Sequence, residues 1–383
     1  MRRMRGTALA AAAMAGVLAL AGCAKDSSGG SSNNSAAPSS GGSDCVTAQK
    51  PPAAPAAASS STAAGGKVDG SALKIGLAFD VGGRGDASFN DAAAAGTDKA
   101  KSDLGVTTVN ESTASASEAE SAKQQRLDQM ASSGLNPIVA VGFAYAPSVK
   151  AIAAKYPNTK FAIVDDDSIQ LPNVTPLVFA EEQGSFLAGV AAAYKSKSCH
   201  VGFIGGVNTP LIQKFEAGFL QGAKTVSNKI KIEDEYLTPA GDFSGFQDPP
   251  KGNAKAAAEI AKGADVIYHA AGASGKGVFD AAKAGNALAI GVDSDQYNQK
   301  TVAADKDVII TSMLKRVDVA VFDYIQAVAK GDLTVLPKRF DLKVDGVGYA
   351  TSGGKVDDIK DVLEGYKAQI ISGAITVSDK PQK

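Results

Sequence analysis

The sequence predicts an α/β protein made of two doubly wound parallel-sheet lobes joined by crossovers, and three observations carry that reading. Short apolar runs alternate with Ala/Lys/Glu-rich helical segments, the pattern of βαβ units. The alternation runs from about residue 71 to 377, enough chain for two lobes of ordinary size. One stretch also repeats. "KIGLAFDVGG…SFNDAAAAGTDKA" and "HVGFIGGVNTPLIQKFEAGFLQGAKTV" share a strand, a glycine pair, a polar loop, then a Phe with a Gly seven residues later: Phe89 and Gly96, Phe215 and Gly222.

Taken in order, residues 1–22 read as a signal peptide. Arg2, Arg3 and Arg5 precede an apolar segment too short for an ordinary membrane span. The segment ends Leu20-Ala21-Gly22-Cys23, which resembles the lipobox of bacterial lipoproteins and makes Cys23 the candidate lipidated residue; an ordinary cleavage site beside a chance cysteine is the alternative. Residues 23–70 are Ser, Gly, Ala and Pro with little to bury, so a flexible tether is expected, with a reach on the order of 35–40 Å. The N-terminal lobe is expected over 71–180 with a return segment near 314–335, and the C-terminal lobe over 181–313 with a final segment near 336–377.

Strands are expected at "LKIGLAF", "PIVAVGF", "KFAIVD", "TPLVFA", "HVGFIGG", "DVIYHAAG" and "LAIGVD", with "VIITSML" a further apolar run. "FAEEQGSFLAGVAAAYKS" is the helix that carries the chain from one lobe to the other. Lysine plus arginine number 39 and aspartate plus glutamate 40, scattered, so no electrostatic footprint for nucleic acid exists. Three cysteines are present. Cys45 and Cys199 can pair in an exported protein or remain two free thiols.

Open parallel sheets bind ligands beyond the carboxyl ends of their strands, and two facing lobes can share one cleft there. Asp80 ends "KIGLAF" and Asp293 ends "LAIGVD"; both carboxylates should reach that edge and accept N–H or O–H donors. Asn90 follows close to Asp80, and Phe89 and Phe215 face from opposite walls, a pair suited to a flat ligand or to the core. Ser88 is a ligand contact or an N-cap. Lys315 follows "VIITSML", where it can neutralise Asp293. Gly272 in "AAGASGKGVF" allows close backbone approach, with Lys276 a secondary candidate; the full phosphate-loop pattern is missing. His269 can meet a base edge or be structural on its strand. "GGRGDASFN" lacks the third glycine of a dinucleotide fingerprint, no nucleophile elbow or metal-ligand spacing is visible, and the Arg84-Gly85-Asp86 triplet reads as incidental. No enzyme activity, cofactor or metal is expected.

With these segments in view, the chain resembles the basic membrane protein family of substrate-binding lipoproteins, which includes purine nucleoside receptors of ABC importers. "DVGG…D.SFN", "AVGFAYAPSVKAIAAKYPNTKFAIVD", "FAEEQGSFLAGV", "GADVIYHAAGASGKGVFDAAK", "AIGVDSDQ" and "TSMLKRVDVAV" carry the resemblance. It implies a type I periplasmic-binding fold, a purine sandwiched by Phe89 and Phe215, its edge read by Asp80 and Asn90, and a ribose held by Asp293 and Lys315. It departs at Ala95, where relatives often carry Trp, and at Lys276 and His269, where they are more usually neutral. The expectation is a monomeric, lipid-anchored binding protein on the extracytoplasmic face of the cell membrane, passing a nucleoside to an ABC permease and its ATPase. A sugar or other small polar solute, or a signalling role, is the alternative.

Overall fold

The computed structural model describes residues 45–54 and 68–382. The signal segment, Cys23 and most of the expected tether lie outside these residues.

In the N-terminal lobe, β1 (Lys74–Phe79), α1 (Phe89–Leu104), β2 (Thr108–Thr113), α2 (Glu120–Ser132), β3 (Ile138–Ala140), α3 (Ala146–Lys155), β4 (Phe161–Val164) and β5 (Val174–Leu177) follow in sequence. The sheet order is β2-β1-β3-β4-β5, every pairing parallel. The central strands β1, β3 and β4 are almost wholly buried. That double-sided burial is why they read as continuous apolar runs.

The chain then enters α4 (Glu181–Lys195), β6 (His200–Val207), α5 (Pro210–Val226), β7 (Lys231–Thr238), α6 (Pro249–Ala261), β8 (Val266–Ala270), α7 (Gly275–Ala284), β9 (Leu288–Asp293) and β10 (Ile309–Lys315). It crosses back for α8 (Val317–Lys330), which packs on α1, and returns for β11 (Val347–Tyr349) and α9 (Lys360–Ile371). The second sheet runs β11-β10-β9-β8-β6-β7, parallel except for antiparallel β11. The fold is the expected α/β pair of doubly wound lobes.

The repeat in the sequence has a packing cause. A Cβ at Gly96 would lie 2.7 Å from Asp318 O of α8, and one at Gly222 would overlap Phe186 O of α4. In both lobes the helix after the first strand leans so closely on a neighbouring helix that only glycine fits.

The lobes are linked by the passages β5 to α4, β10 to α8 and α8 to β11. Two of these passages hold each other. Phe179 and Phe340 form a parallel bridge in which Ala180 N donates to Phe340 O at 3.0 Å and Phe340 N to Val178 O at 2.8 Å. Their rings stack at 5.2 Å.

Three strands escape the sequence reading: β2 ("TVNEST"), β7 ("KIEDEYLT") and the short β11. The stretch read as tether also contains an ordered strap. Cys45 is disulfide-bonded to Cys199 with Cα atoms 5.2 Å apart, and Thr47 N and Ala48 N both donate to Val226 O. Pro51 and Pro52 then lie against Gly365 of α9, so residues 45–54 belong to the C-terminal lobe. Among the described residues no helix is long and apolar enough to cross a membrane.

Candidate functional site

A cavity of about 540 Å³, counting its mouth, opens where the carboxyl ends of both sheets face each other. Asp80 follows β1, Gly142 and Phe143 follow β3, and Asp165 follows β4; Ala270 ends β8 and Gly272 follows it, Val292 and Asp293 end β9, and Lys315 ends β10. Phe89 and Asn90 come from the start of α1, Leu211, Ile212 and Phe215 from α5, and Phe246 from the loop after β7.

Asp80 is nearly buried, and its Oδ1 accepts the Val81 N–H at 2.7 Å. Burial pushes its pKa up to about 7, against the lowering pull of that hydrogen bond and of Lys123. Gly142, at φ 102°, leaves the space that Asp80 Oδ2 fills, since a Cβ there would overlap the carboxylate. Asn90 lines the cavity, yet most of its amide is committed inside the lobe. Its Oδ1 accepts Asp80 N at 3.0 Å, and its Nδ2 donates to Val81 O at 3.1 Å and Asp86 Oδ2 at 3.0 Å. One lone pair of Oδ1 remains to meet a ligand.

Asp86 was not legible as a site residue. Its carboxylate accepts the backbone N–H groups of Ser88, Asn90 and Asp91 at 2.9–3.1 Å, which makes it the cap of α1 and a wall of the cavity at once. Burial raises its pKa to about 6. Its neighbour Arg84 faces outward, paired with Glu111 at 2.6 Å and Asp98 at 3.0 Å.

Lys315 is buried at the back of the cavity, with Nζ 2.6 Å from Asp165 Oδ2 and 3.4 Å from Glu181 Oε1. Burial alone would lower its pKa, but Asp165, Glu181 and Asp293 outweigh it and keep the ammonium charged. The same nitrogen lies 4.9 Å from the Phe89 ring centroid and 5.5 Å from that of Phe215, so rings from both lobes border one spot. The direct ion pair of Lys315 is with Asp165, which the sequence reading did not single out, while Asp293 feels the same charge without touching it. Asp165 ends "KFAIVD" just as Asp80 and Asp293 end their strands, the signal that would have found it. Burial raises the pKa of Asp165 and of Asp293 to about 6 each.

Three secondary candidates stand away from the cavity lining. Ser88 neither caps α1 nor lines the cavity; its Oγ donates across the cleft to Asp293 Oδ2 at 2.5 Å. His269 is fully buried, its Nε2 3.1 Å from Gln296 Oε1 and its ring edge-on to Phe279 at 5.0 Å, and burial lowers its pKa to about 4. Lys276 points along α7 and pairs with Asp280 at 3.0 Å and Asp305 at 3.7 Å. Among the described residues no cluster of His, Cys, Asp or Glu is arranged to hold a metal ion.

The profile of the Bmp family, described as ABC transporter substrate-binding protein PnrA-like, matches residues 73–380, the whole of both lobes. The chain belongs to the Bmp family. It is a substrate-binding protein of the ABC transporter class, and the family is one of binding proteins rather than enzymes. It is 34% identical over 332 residues to the ABC transporter nucleoside-binding protein BmpA of Lactococcus lactis, covering 80% of this chain and 90% of that one. To an uncharacterised lipoprotein of Pyrococcus horikoshii it is 35% identical over 294 residues, 73% of this chain and 69% of the relative. Among solved structures, an ABC transporter solute-binding protein of Aeropyrum pernix superposes with a TM-score of 0.66 at 27% identity, covering 81% of this chain and 94% of that chain.

Proposed function

We propose that this Bmp-family chain is a lipid-anchored extracytoplasmic receptor that closes its lobes on a nucleoside, most simply a purine nucleoside, and hands it to an ABC permease. The observation that carries the reading is the pairing of Phe89 and Phe215 from opposite lobes around a cavity rich in acceptors. A flat base uses both ring faces, each stack adding about 0.5–1.5 kcal/mol beyond area burial. Asp80, Asp86, Asp165 and Asp293 supply acceptors, and Lys315 is the cation among the lining side chains. That balance favours a ligand rich in N–H and O–H donors, such as a base edge and ribose hydroxyls, and repels a phosphate. It therefore suits a nucleoside over a nucleotide.

The nucleoside-binding relative in Lactococcus lactis supports the ligand class, and the lipoprotein relative in Pyrococcus horikoshii supports the anchor at Cys23. In this reading Asp80 and the free lone pair of Asn90 Oδ1 take donors from the base, while Asp293 and Lys315 hold the ribose beside Gly272. The reading is tested by titrating the protein with inosine, guanosine and their 5′-monophosphates. Tight binding of the nucleosides with at least a hundredfold loss for the monophosphates is expected. Equal affinity for the monophosphates would remove the electrostatic argument.

A further inference from the structure

We infer that the lobes carry a latch of their own, in which Gln296 and Ser88 hold the cleft closed through hydrogen bonds between protein groups alone. The latch does not depend on which solute the cleft takes.

Gln296 lies in the loop after β9 of the C-terminal lobe and is 1% exposed. Its Oε1 accepts the Val292 N–H at 2.9 Å and faces His269 Nε2 at 3.1 Å, while its own N–H donates to Ser312 Oγ at 3.1 Å. With the amide oxygen committed inside its own lobe, Nε2 is aimed the other way. It donates to Ala87 O of the N-terminal lobe at 3.1 Å. Beside it run Ser88 Oγ to Asp293 Oδ2 at 2.5 Å, with Val292 O at 3.4 Å a more distant acceptor for the same hydroxyl, and Ser294 Oγ to Ser88 O at 2.9 Å. All three cross the cleft between the loop before α1 and the loop after β9.

His269 gains a role here. To meet an amide oxygen its Nε2 must carry the proton, and Nδ1, which has no hydrogen-bond partner, is then the bare nitrogen of a neutral ring. The imidazole thus fixes which way the Gln296 amide points, and it is a positioning residue. On the facing lobe, Ala87 takes φ 57°, a left-handed conformation that a Cβ-bearing residue adopts at a cost. Asp91 Oδ2 holds it there by accepting the Ala87 N–H at 2.9 Å. Donor and acceptor are each fixed in place before they meet, so closure spends little further entropy on them.

A binding-competent conformer that is only partly populated weakens apparent affinity by its fraction. Cross-cleft bonds between protein groups raise that fraction before any solute arrives. Each such bond should shift the closed population by roughly 3- to 10-fold.

The test is small-angle X-ray scattering of the ligand-free full chain carrying Cys23→Ser, which keeps it free of lipid, with circular dichroism confirming the fold. Gln296→Glu sets a carboxylate against Ala87 O, and Ser88→Ala removes a bond from the opposite lobe. His269→Phe keeps a ring against Phe279 and loses the donor. All three should enlarge the radius of gyration, Gln296→Glu the most, and weaken the apparent affinity for inosine by up to about 3- to 10-fold. Scattering curves for Gln296→Glu and Ser88→Ala that superimpose on the wild type would refute the latch. The scattering result stands even where inosine does not bind, so failure of the nucleoside reading is separable from failure of the latch.

Discussion

β4 of the N-terminal lobe and β9 of the C-terminal lobe occupy the same place in their sheets, and each is closed by an aspartate in the left-handed region, Asp165 at φ 70° and Asp293 at φ 64°. Gly142 and Gly272 match in the same way, two residues beyond β3 and β8, both with positive φ. The scaffold is repeated, but the lining is not. The N-terminal wall presents Asp80, Asp86, Asn90 and Asp165 beside Val81, Phe89 and Phe143; the C-terminal wall presents Leu211, Ile212, Phe215, Phe246, Ala270 and Val292, with Asp293 its one carboxylate in the lining. Duplicated architecture has thus been given divided labour. The N-terminal wall offers most of the hydrogen-bond acceptors that discriminate together with one ring of the pair, and the C-terminal wall offers chiefly apolar area that holds.

The largest effect should come where the walls share a charge. Lys315→Met leaves Asp165 and Glu181 facing each other in a buried site, and breaking a buried pair from one side typically costs about 3–5 kcal/mol. Equilibrium unfolding in urea should show a loss of that size, and a loss below about 1 kcal/mol would mean the carboxylates have other partners. Next come the rings. Phe89→Ala and Phe215→Ala each remove a stacking face and its buried area, together worth about 2 kcal/mol or more, so each should weaken nucleoside binding at least about 30-fold by calorimetry. If only the Phe215 variant is impaired, the holding role belongs to the C-terminal wall alone.

A paired glycine experiment separates the walls more finely. Gly142→Ala drives a Cβ into the Asp80 carboxylate, whereas at Gly272 the nearest atom to an added Cβ is Phe246 O at 3.1 Å. Both pay for a positive φ, about 1–3 kcal/mol, but only Gly142→Ala should also displace Asp80. The expected signature is similar melting temperatures with a greater loss of nucleoside affinity for Gly142→Ala. Equal loss in the two would show that Asp80 does not read the ligand.

The smallest effect is a pH slope. With a folded pKa of about 7 against an ordinary 3.8, Asp80 binds its proton more tightly in the folded protein than in the unfolded chain. Its contribution to stability is complete below about pH 3.8 and is lost as pH rises through 7. The ligand-free protein should therefore melt lower at pH 8 than at pH 6, and Asp80→Asn should flatten that slope. Asp293→Asn should alter the dependence between about pH 3.8 and 6, the window between its ordinary and folded pKa. A slope unchanged in Asp80→Asn would place the titration elsewhere.

What the sequence revealed of this follows from burial. β1, β6 and β8 are buried on both faces and read as unbroken apolar runs. β2 and β7 lie at sheet edges, where exposed faces carry Glu111, Glu233, Asp234 and Glu235, and such strands resemble loops. The residues singled out at strand ends, Asp80, Asp293 and Lys315, all line the cavity because strand direction and sheet topology alone bring them there. Ser88 was misread because its partner, Asp293, lies 205 residues away in sequence, and of the two readings open for His269 the structural one holds, its partner Gln296 lying 27 residues away. Long-range pairing of that kind leaves no local pattern. Residues 45–54 looked like tether for a related reason: what orders them is a distant cysteine and the surface of α5 and α9, not their own composition.

The most direct test of the account is calorimetric titration of the chain from residue 24 onward, disulfide intact, with inosine, guanosine, adenosine, cytidine, uridine and ribose after unfolding and refolding to strip any carried-over ligand. Tight binding of one or more nucleosides, lost in Phe215→Ala and in Asp293→Ala while ribose alone gives no heat, is the predicted result. Ribose binding as tightly as any nucleoside, with Phe215→Ala unaffected, would contradict the account of an acceptor-rich wall and a largely apolar one that share a pair of rings.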